Sequence, residues 1–117
     1  YPVWRNTHNL LKPGGYFIFT LPPYDCWPNH CNLFYSESFF WYLSKSNDYE
    51  IIQLSRWTSG QSLPIYTKMR GVLRKRADNE FMPEANYEQL DQSFIVYNER
   101  GKQEKTNARL RYKQTNN

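Results

Sequence analysis

The chain has 117 residues, of which 39% are hydrophobic and 18% aromatic, enough for one domain with its own core and too few for two. Charged residues make up 22%, and no apolar run approaches the ~18 residues that cross a bilayer, which excludes a membrane-spanning chain. The first residues lack both a signal peptide and a starting methionine. We therefore expect a soluble, cytoplasmic piece of a longer or processed protein.

The first predicted element is an amphipathic helix that ends at a turn with two glycines. Val3 and Leu10 lie seven residues apart, which places them on one helix face. Lys12 precedes a proline and is therefore disfavoured in the helical conformation, so the helix should end there. Gly14 and Gly15 can adopt positive φ without a steric penalty, which allows the chain to reverse sharply.

An uninterrupted apolar run, Tyr16–Leu21, follows this turn. A strand with one wet face would alternate between apolar and polar residues, so we predict a central strand of a parallel sheet, covered on both faces. Pro22 and Pro23 end it, because neither can donate a hydrogen bond to a neighbouring strand. Residues 22–35 then form a loop rich in prolines and aromatic side chains.

A second helix and two more strands are predicted after this loop. Ser36 has the properties of an N-cap, and Glu37 places negative charge in the first helical turn. The helix should close at residues 46–48. Residues 49–54 alternate in part and predict a strand, and residues 66–76 predict an edge or antiparallel strand.

The sequence signal is weaker towards the C-terminus. Residues 93–102 are compatible with one more strand, which would end in a turn at Gly101. The polar segment that follows is expected to be disordered. The predicted organisation is therefore a domain at 1–103 and a polar tail at 104–117.

The order of a helix, Leu-Lys-Pro-Gly-Gly at residues 11–15, a buried strand, a helix and two strands resembles the C-terminal half of class I S-adenosylmethionine-dependent methyltransferases. In that family this motif marks the turn into the fifth strand. The spacing of His30, Phe34 and Ser36 before a helix is similar to the segment between the fifth and sixth strands. The match covers residues 3–76. It implies an α/β fold, the C-terminal part of a Rossmann-like sheet with three or four strands in mixed directions and one or two helices.

The resemblance also implies where a methyl acceptor would bind. Ligands of open α/β sheets bind outside the carboxyl ends of the strands, which here is the loop after the apolar run. Tyr24, Trp27 and Phe34 would supply apolar or stacking surface, and Asp25 and His30 would orient or deprotonate the acceptor. His30 is the candidate general base, because imidazole titrates near neutral pH. The alternative for His30 is a loop residue hydrogen-bonded to nearby backbone.

The cofactor implied by the resemblance is S-adenosylmethionine. The family holds it mainly through a glycine-rich turn after the first strand and an acidic residue after the second. None of the five glycines of this chain shows the G-x-G spacing of such a turn. We therefore expect the cofactor-binding half to lie outside this sequence, and the chain alone to be inactive and to bind the cofactor poorly. The fold does not determine the acceptor.

The alternative function is a basic, aromatic-rich module that binds nucleic acid. The net charge is +4, and Arg70, Arg74, Lys75 and Arg76 lie in one short segment. Single-strand binders combine such charges with stacking rings, for which Tyr66 and the aromatic residues of the tail are the candidates. A charge cluster is also typical of a solvated face. A third interpretation is a structural remnant without activity.

A metal site is not expected. Cys26, His30 and Cys31 are closely spaced in "CWPNHC", but structural zinc takes four ligands and the only other histidine is His8. Two reduced thiols are the simpler interpretation for a cytosolic protein.

Overall fold

The computed structural model describes residues 1–23, 31–58 and 67–115, apart from the side chain of Tyr112. It is a mixed α/β structure with four helices and five strands in that part of the chain. In chain order the elements are α1 Pro2–Leu10, β1 Tyr16–Leu21, β2 Leu33–Tyr35, α2 Glu37–Asn47, β3 Tyr49–Thr58, β4 Thr67–Lys75, α3 Glu84–Phe94, β5 Ile95–Tyr97 and α4 Glu99–Thr115.

Local signals place the ends of α1 and α2 where the sequence predicts them. Leu11 leaves the helical conformation with ψ 132°, and Gly14 takes a φ of 86° at the turn into β1. The Ser36 hydroxyl accepts a hydrogen bond from the backbone N–H of Phe39, which makes it the N-cap of α2. Asp48 ends α2 in the left-handed conformation, with φ 56°.

The main sheet has three strands in the order β1-β4-β3, and β4 is antiparallel to both neighbours. Strands β1 and β3 are therefore parallel to each other, and α2 lies in the connection between them. A parallel pair needs such a crossover, whereas an antiparallel pair can be joined by a hairpin. The ladder between β3 and β4 is irregular between Ile51 and Gln53, which is a β-bulge.

The core lies on one face of this sheet and is built largely from aromatic rings. Trp4 of α1 contacts Phe17 of β1 and Phe40 of α2 edge-on, with ring centroids 5.3 and 5.5 Å apart. Phe40 also stacks on Phe19 at 4.2 Å. Both helices therefore pack on the same side of the sheet, where Phe39 and Phe40 are fully buried.

The environment of β1 differs from the sequence prediction. In the described part of the chain β1 is an edge strand of an antiparallel sheet, and its second face is open: Ile18 is 72% exposed and Tyr16 is 55% exposed. The prediction of a central strand covered on both faces was wrong for these residues. An apolar run shows that a strand can be covered on both sides, but the covering elements must come from elsewhere in the fold.

A second, two-stranded sheet joins the segment before α2 to the C-terminal region. β2 and β5 pair antiparallel, with Leu33 opposite Tyr97 and Tyr35 opposite Ile95. The predicted loop thus ends in a short strand. A strand does form in the region 93–102, but Gly101 lies within α4 rather than in a turn.

The tail predicted to be disordered from residue 104 is instead helical as far as Thr115. Its polar composition gives no internal core, but ion pairs with the body hold it, among them Lys105 with Asp91 and Arg109 with Glu88. The prediction of disorder considered composition alone and did not include these contacts. Neither α4 nor any other helix in the described ranges is long and apolar enough to span a bilayer.

Candidate functional site

Most of the predicted acceptor site lies outside the described residues. Tyr24, Asp25, Trp27 and His30 all fall between positions 24 and 30, so their predicted roles stay predictions. Phe34 is the described member of the set, and it is half-buried in β2.

Phe34 lies opposite Val96 of β5, so a strand holds it rather than a free loop. The β-ladder therefore fixes the backbone of Phe34. A side chain held in this way can present a constant apolar surface to a ligand beside it.

The carboxyl ends of β1 and β3 lie at the same end of the sheet, since the two strands are parallel. Leu21 pairs there with Met69, which is fully buried, and the Thr58 and Thr67 hydroxyls hydrogen-bond at 2.9 Å. This end of the sheet thus combines the apolar side chains of Leu21 and Met69 with two threonine hydroxyls that hydrogen-bond to each other.

Lys75 does not belong to a basic surface, contrary to the prediction. Its side chain is buried, with the residue 3% exposed, and its Nζ donates hydrogen bonds to the carbonyls of His8 and Leu11, each at 2.9 Å. The last carbonyls of a helix have no partner within the helix, and a positive charge also suits the negative end of the helix dipole. Lys75 therefore caps α1 and cannot contact a nucleic acid.

The ring of His8 is likewise held by hydrogen bonds within the fold. Its Nε2 lies 2.5 Å from the carbonyl oxygen of Asn79 and its Nδ1 lies 2.7 Å from the hydroxyl of Tyr49. A carbonyl can only accept, so Nε2 carries the proton that it donates. Burial raises the pKa of Tyr49, which keeps that hydroxyl protonated at neutral pH. Both ring nitrogens of His8 are thus occupied.

The other basic residues of the predicted cluster lie on the opposite side of the sheet. Met69 and Leu73 of β4 face the core and are buried, so the residues between them face away from it. We call this side, away from α1 and α2, the outer face. Its large or charged side chains include Tyr16, Ile18, Trp57, Lys68, Arg70 and Arg74.

Cation–π contacts organise the outer face. The guanidinium of Arg70 lies over the ring of Trp57, 4.3 Å from its centroid, and that of Arg74 lies 6.0 Å from the centroid of Tyr16. Arg74 also forms a long ion pair with Glu50 at 3.8 Å, in which both side chains are nearly half exposed. The charged and aromatic groups are therefore interleaved on one surface.

The outer face continues around the end of β4. A shallow depression there is lined by Gly14, Glu50, Arg74 and Arg76, with the Lys75 segment between them. Arg76 is exposed, and its backbone N–H donates to the carbonyl of Asp48.

Sequence reasoning found Arg70, Arg74 and Arg76 but missed Tyr16, Trp57 and Lys68. The alternation of side chains along a strand could have separated these residues. Lys68, Arg70 and Arg74 are at even-numbered positions and share one face of β4, whereas Lys75 is on the other face. Trp57 is brought to the face by the pairing of β3 with β4, which the sequence does not reveal.

A buried carboxylate lies away from both surfaces. Asp91 of α3 is 4% exposed, and its Oδ2 forms an ion pair with the Nζ of Lys105 at a distance of 2.6 Å. Burial raises the pKa of both Tyr87 and Tyr97 next to it, and the negative charge of Asp91 raises them further. This cluster joins α4 to the body of the protein.

Within the described ranges, no three or more histidine, cysteine, aspartate or glutamate residues are placed to hold a metal ion. Cys31 is a free thiol, and burial raises its pKa, which favours the unreactive protonated form.

Comparisons with protein-family models, curated proteins and solved structures give no match to this chain. Any functional assignment therefore depends on the sequence pattern and the geometry described above.

Proposed function

We propose that this chain is the C-terminal half of a Rossmann-like, S-adenosylmethionine-dependent methyltransferase and that it is inactive alone. The observation that carries the proposal is the unit β1–α2–β3, a parallel crossover that is entered through the Leu-Lys-Pro-Gly-Gly turn. The resemblance expects this crossover between the fifth and sixth strands of the family.

The turn itself supports the proposal, because each part of the motif has a physical task. The helical conformation is disfavoured for Lys12 before Pro13, in agreement with the end of α1 at Leu10. Gly14 takes the positive φ that directs the chain into β1. The N–H of Gly14 donates to the carbonyl of Lys75 at 2.7 Å, and that of Lys75 donates to Gly15 at 2.9 Å. The two glycines of the turn are thus hydrogen-bonded to Lys75, the last residue of β4.

The free edge of β1 also agrees with the proposal. Within the described residues β1 pairs only with β4, so its other edge offers unpaired backbone groups to a further strand. A Rossmann-like sheet would continue there with its cofactor-binding half. The crevice at the carboxyl end of β1 would then lie between the two halves, where such folds bind their ligands.

The chemistry required of this half is mainly alignment. The acceptor atom attacks the sulfonium methyl carbon in line, the carbon–sulfur bond breaks, and the acceptor's proton leaves to a base or to water. In this proposal Tyr24, Trp27 and Phe34 bind the acceptor and Asp25 orients it. His30 removes the proton when the acceptor is a hydroxyl.

The test uses the chain alone and the chain extended by its native upstream coding sequence. We expect a strand followed by G-x-G-x-G upstream, and micromolar S-adenosylmethionine binding in isothermal titration only for the extended chain. Micromolar binding by the 117 residues alone would refute the division into halves. An extended chain that neither binds the cofactor nor carries the glycine-rich turn would refute the methyltransferase assignment.

A further inference from the structure

We propose that the outer face of the β1-β4-β3 sheet binds single-stranded nucleic acid. The inference concerns the side of the sheet away from α1 and α2 within the described residues, and it requires no cofactor.

The positive charges of the outer face form a row suited to a phosphate backbone. Lys68, Arg70 and Arg74 project from the central strand at positions of the same parity. With a rise of about 3.4 Å per residue, the row extends over roughly 20 Å from the first to the last. The carboxylate of Glu50 lies beside Arg74 alone and only at 3.8 Å, so the face has an excess of positive charge.

Two aromatic rings flank this row at diagonally opposite corners. Trp57 of β3 pairs with Lys68, and Tyr16 of β1 pairs with Arg74. Trp57 is 42% exposed and Tyr16 is 55% exposed, so ring surface remains open to a ligand. Bases of any sequence can stack on such rings, and each stack contributes substantially to binding.

No other element of the described chain covers this surface. α1 and α2 pack on the opposite face, α3 contacts α2 and β5, and α4 contacts β5. Ile18 and Val72 form an apolar strip between the rings, with Ile18 largely exposed. Such a strip would be costly to leave in water and can pack against a base or a sugar.

The chemistry of the face selects among possible occupants. The centres of protein–protein interfaces are depleted in charged residues, whereas here the cations occupy the central strand. A polyanion without bases would form ion pairs with the cations but would not stack on the aromatic rings. A duplex keeps its bases stacked internally, so single strands use the whole surface.

The test is fluorescence anisotropy of a labelled single-stranded RNA of about ten nucleotides, a length within the range that single-strand binding folds cover. With three phosphate contacts, the logarithm of the binding constant should fall against the logarithm of salt concentration with a slope of about −2. The double variant Arg70→Gln/Arg74→Gln should reduce this slope to about −0.7. The matched control Arg100→Gln/Arg111→Gln removes the same charge from exposed positions on α4 and should leave the slope unchanged.

Stacking is tested separately from charge. Trp57→Ala should weaken binding about five-fold or more without changing the salt slope, and Trp57→Phe should restore most of the loss. Circular dichroism of every variant verifies that the fold is intact.

Three results would overturn the inference: no binding at low salt, an equal loss in the α4 control, or equally tight binding of heparin that Trp57→Ala does not affect. Each of these outcomes leaves the cofactor experiment unaffected, so the two proposals can fail independently.

Discussion

Gly71 of β4 lies directly opposite Phe19 of β1, and a Cβ atom at position 71 would come within 2.0 Å of the Phe19 ring. The ring lies across the central strand and stacks on Phe40, so the absence of a side chain at position 71 permits the contact between the sheet and α2. The position is therefore restricted by packing rather than by backbone conformation.

We predict that Gly71→Ala destabilises the protein by about 2 kcal/mol, in the range for overpacked cores, because the Phe19 ring must move out of its stack. Urea denaturation measures the change. In a Phe19→Ala background the same substitution should be neutral or stabilising, since alanine is otherwise preferred over glycine within a strand. Equal losses in both backgrounds would show that the clash is not the cause.

Lys75→Met should destabilise the fold by about 2 kcal/mol, because it leaves the His8 and Leu11 carbonyls at the end of α1 without donors. Methionine keeps most of the volume of the lysine stem, so the loss reports the hydrogen bonds. The control Lys68→Met makes the same change on the same strand, but on the outer face, and should change stability by less than about 0.5 kcal/mol. An effect of Lys75→Met no larger than this control would contradict the capping role.

Local sequence signals predicted much of this fold because the features involved are local. The proline and glycines after α1, the Ser36 N-cap and the Asp48 end of α2 each act within a few residues. What failed depends on distant partners. The apolar run of β1 is compatible with burial on two faces, yet whether a second layer covers Ile18 is decided elsewhere in the fold.

The candidate sites show the same limit. Composition grouped Lys75 with the neighbouring arginines, whereas strand alternation separates them onto opposite faces. The polar composition of α4 predicted disorder. A long-range contact such as the ion pair between Lys105 and Asp91 has no signature in the local sequence and could not enter that prediction. Trp57 reaches the outer face through strand pairing, which sequence alone does not establish.

The buried tyrosines make stability sensitive to alkaline pH. Burial raises the pKa values of Tyr49, Tyr87 and Tyr97 above the unfolded value of about 10. Their contribution to the free energy of unfolding is fully present below pH 10. It is lost as pH rises further, because the unfolded chain then releases protons that the folded protein retains. Each tyrosine should lower the free energy of unfolding by up to about 1.4 kcal/mol per pH unit above 10.

Urea denaturation at pH 9 and pH 11 measures this loss. Replacing a buried tyrosine by phenylalanine, as in Tyr87→Phe, removes one titrating group and should make the pH dependence shallower by one tyrosine's share. Tyrosinate absorbance of the folded protein offers an independent reading: if all tyrosines ionise together near pH 10 without unfolding, burial does not protect them and the prediction is wrong.

The ion pair between Asp91 and Lys105 is predicted to hold α4 on the body of the protein. Asp91 is buried and Lys105 is largely so, whereas most of the remaining surface of α4 is exposed. Asp91→Asn keeps the shape but leaves the Lys105 ammonium without its counter-charge, which should cost about 3 kcal/mol of docking. Amide hydrogen exchange in residues 102–115 should then accelerate, while exchange in β4 stays unchanged. The control Glu99→Gln removes a carboxylate whose pair with Lys102 is largely exposed to solvent and should leave exchange as it is. Unchanged protection of α4 in Asp91→Asn would mean that Gly101, packed against the Asn32 carbonyl, and the remaining contacts suffice to dock the helix.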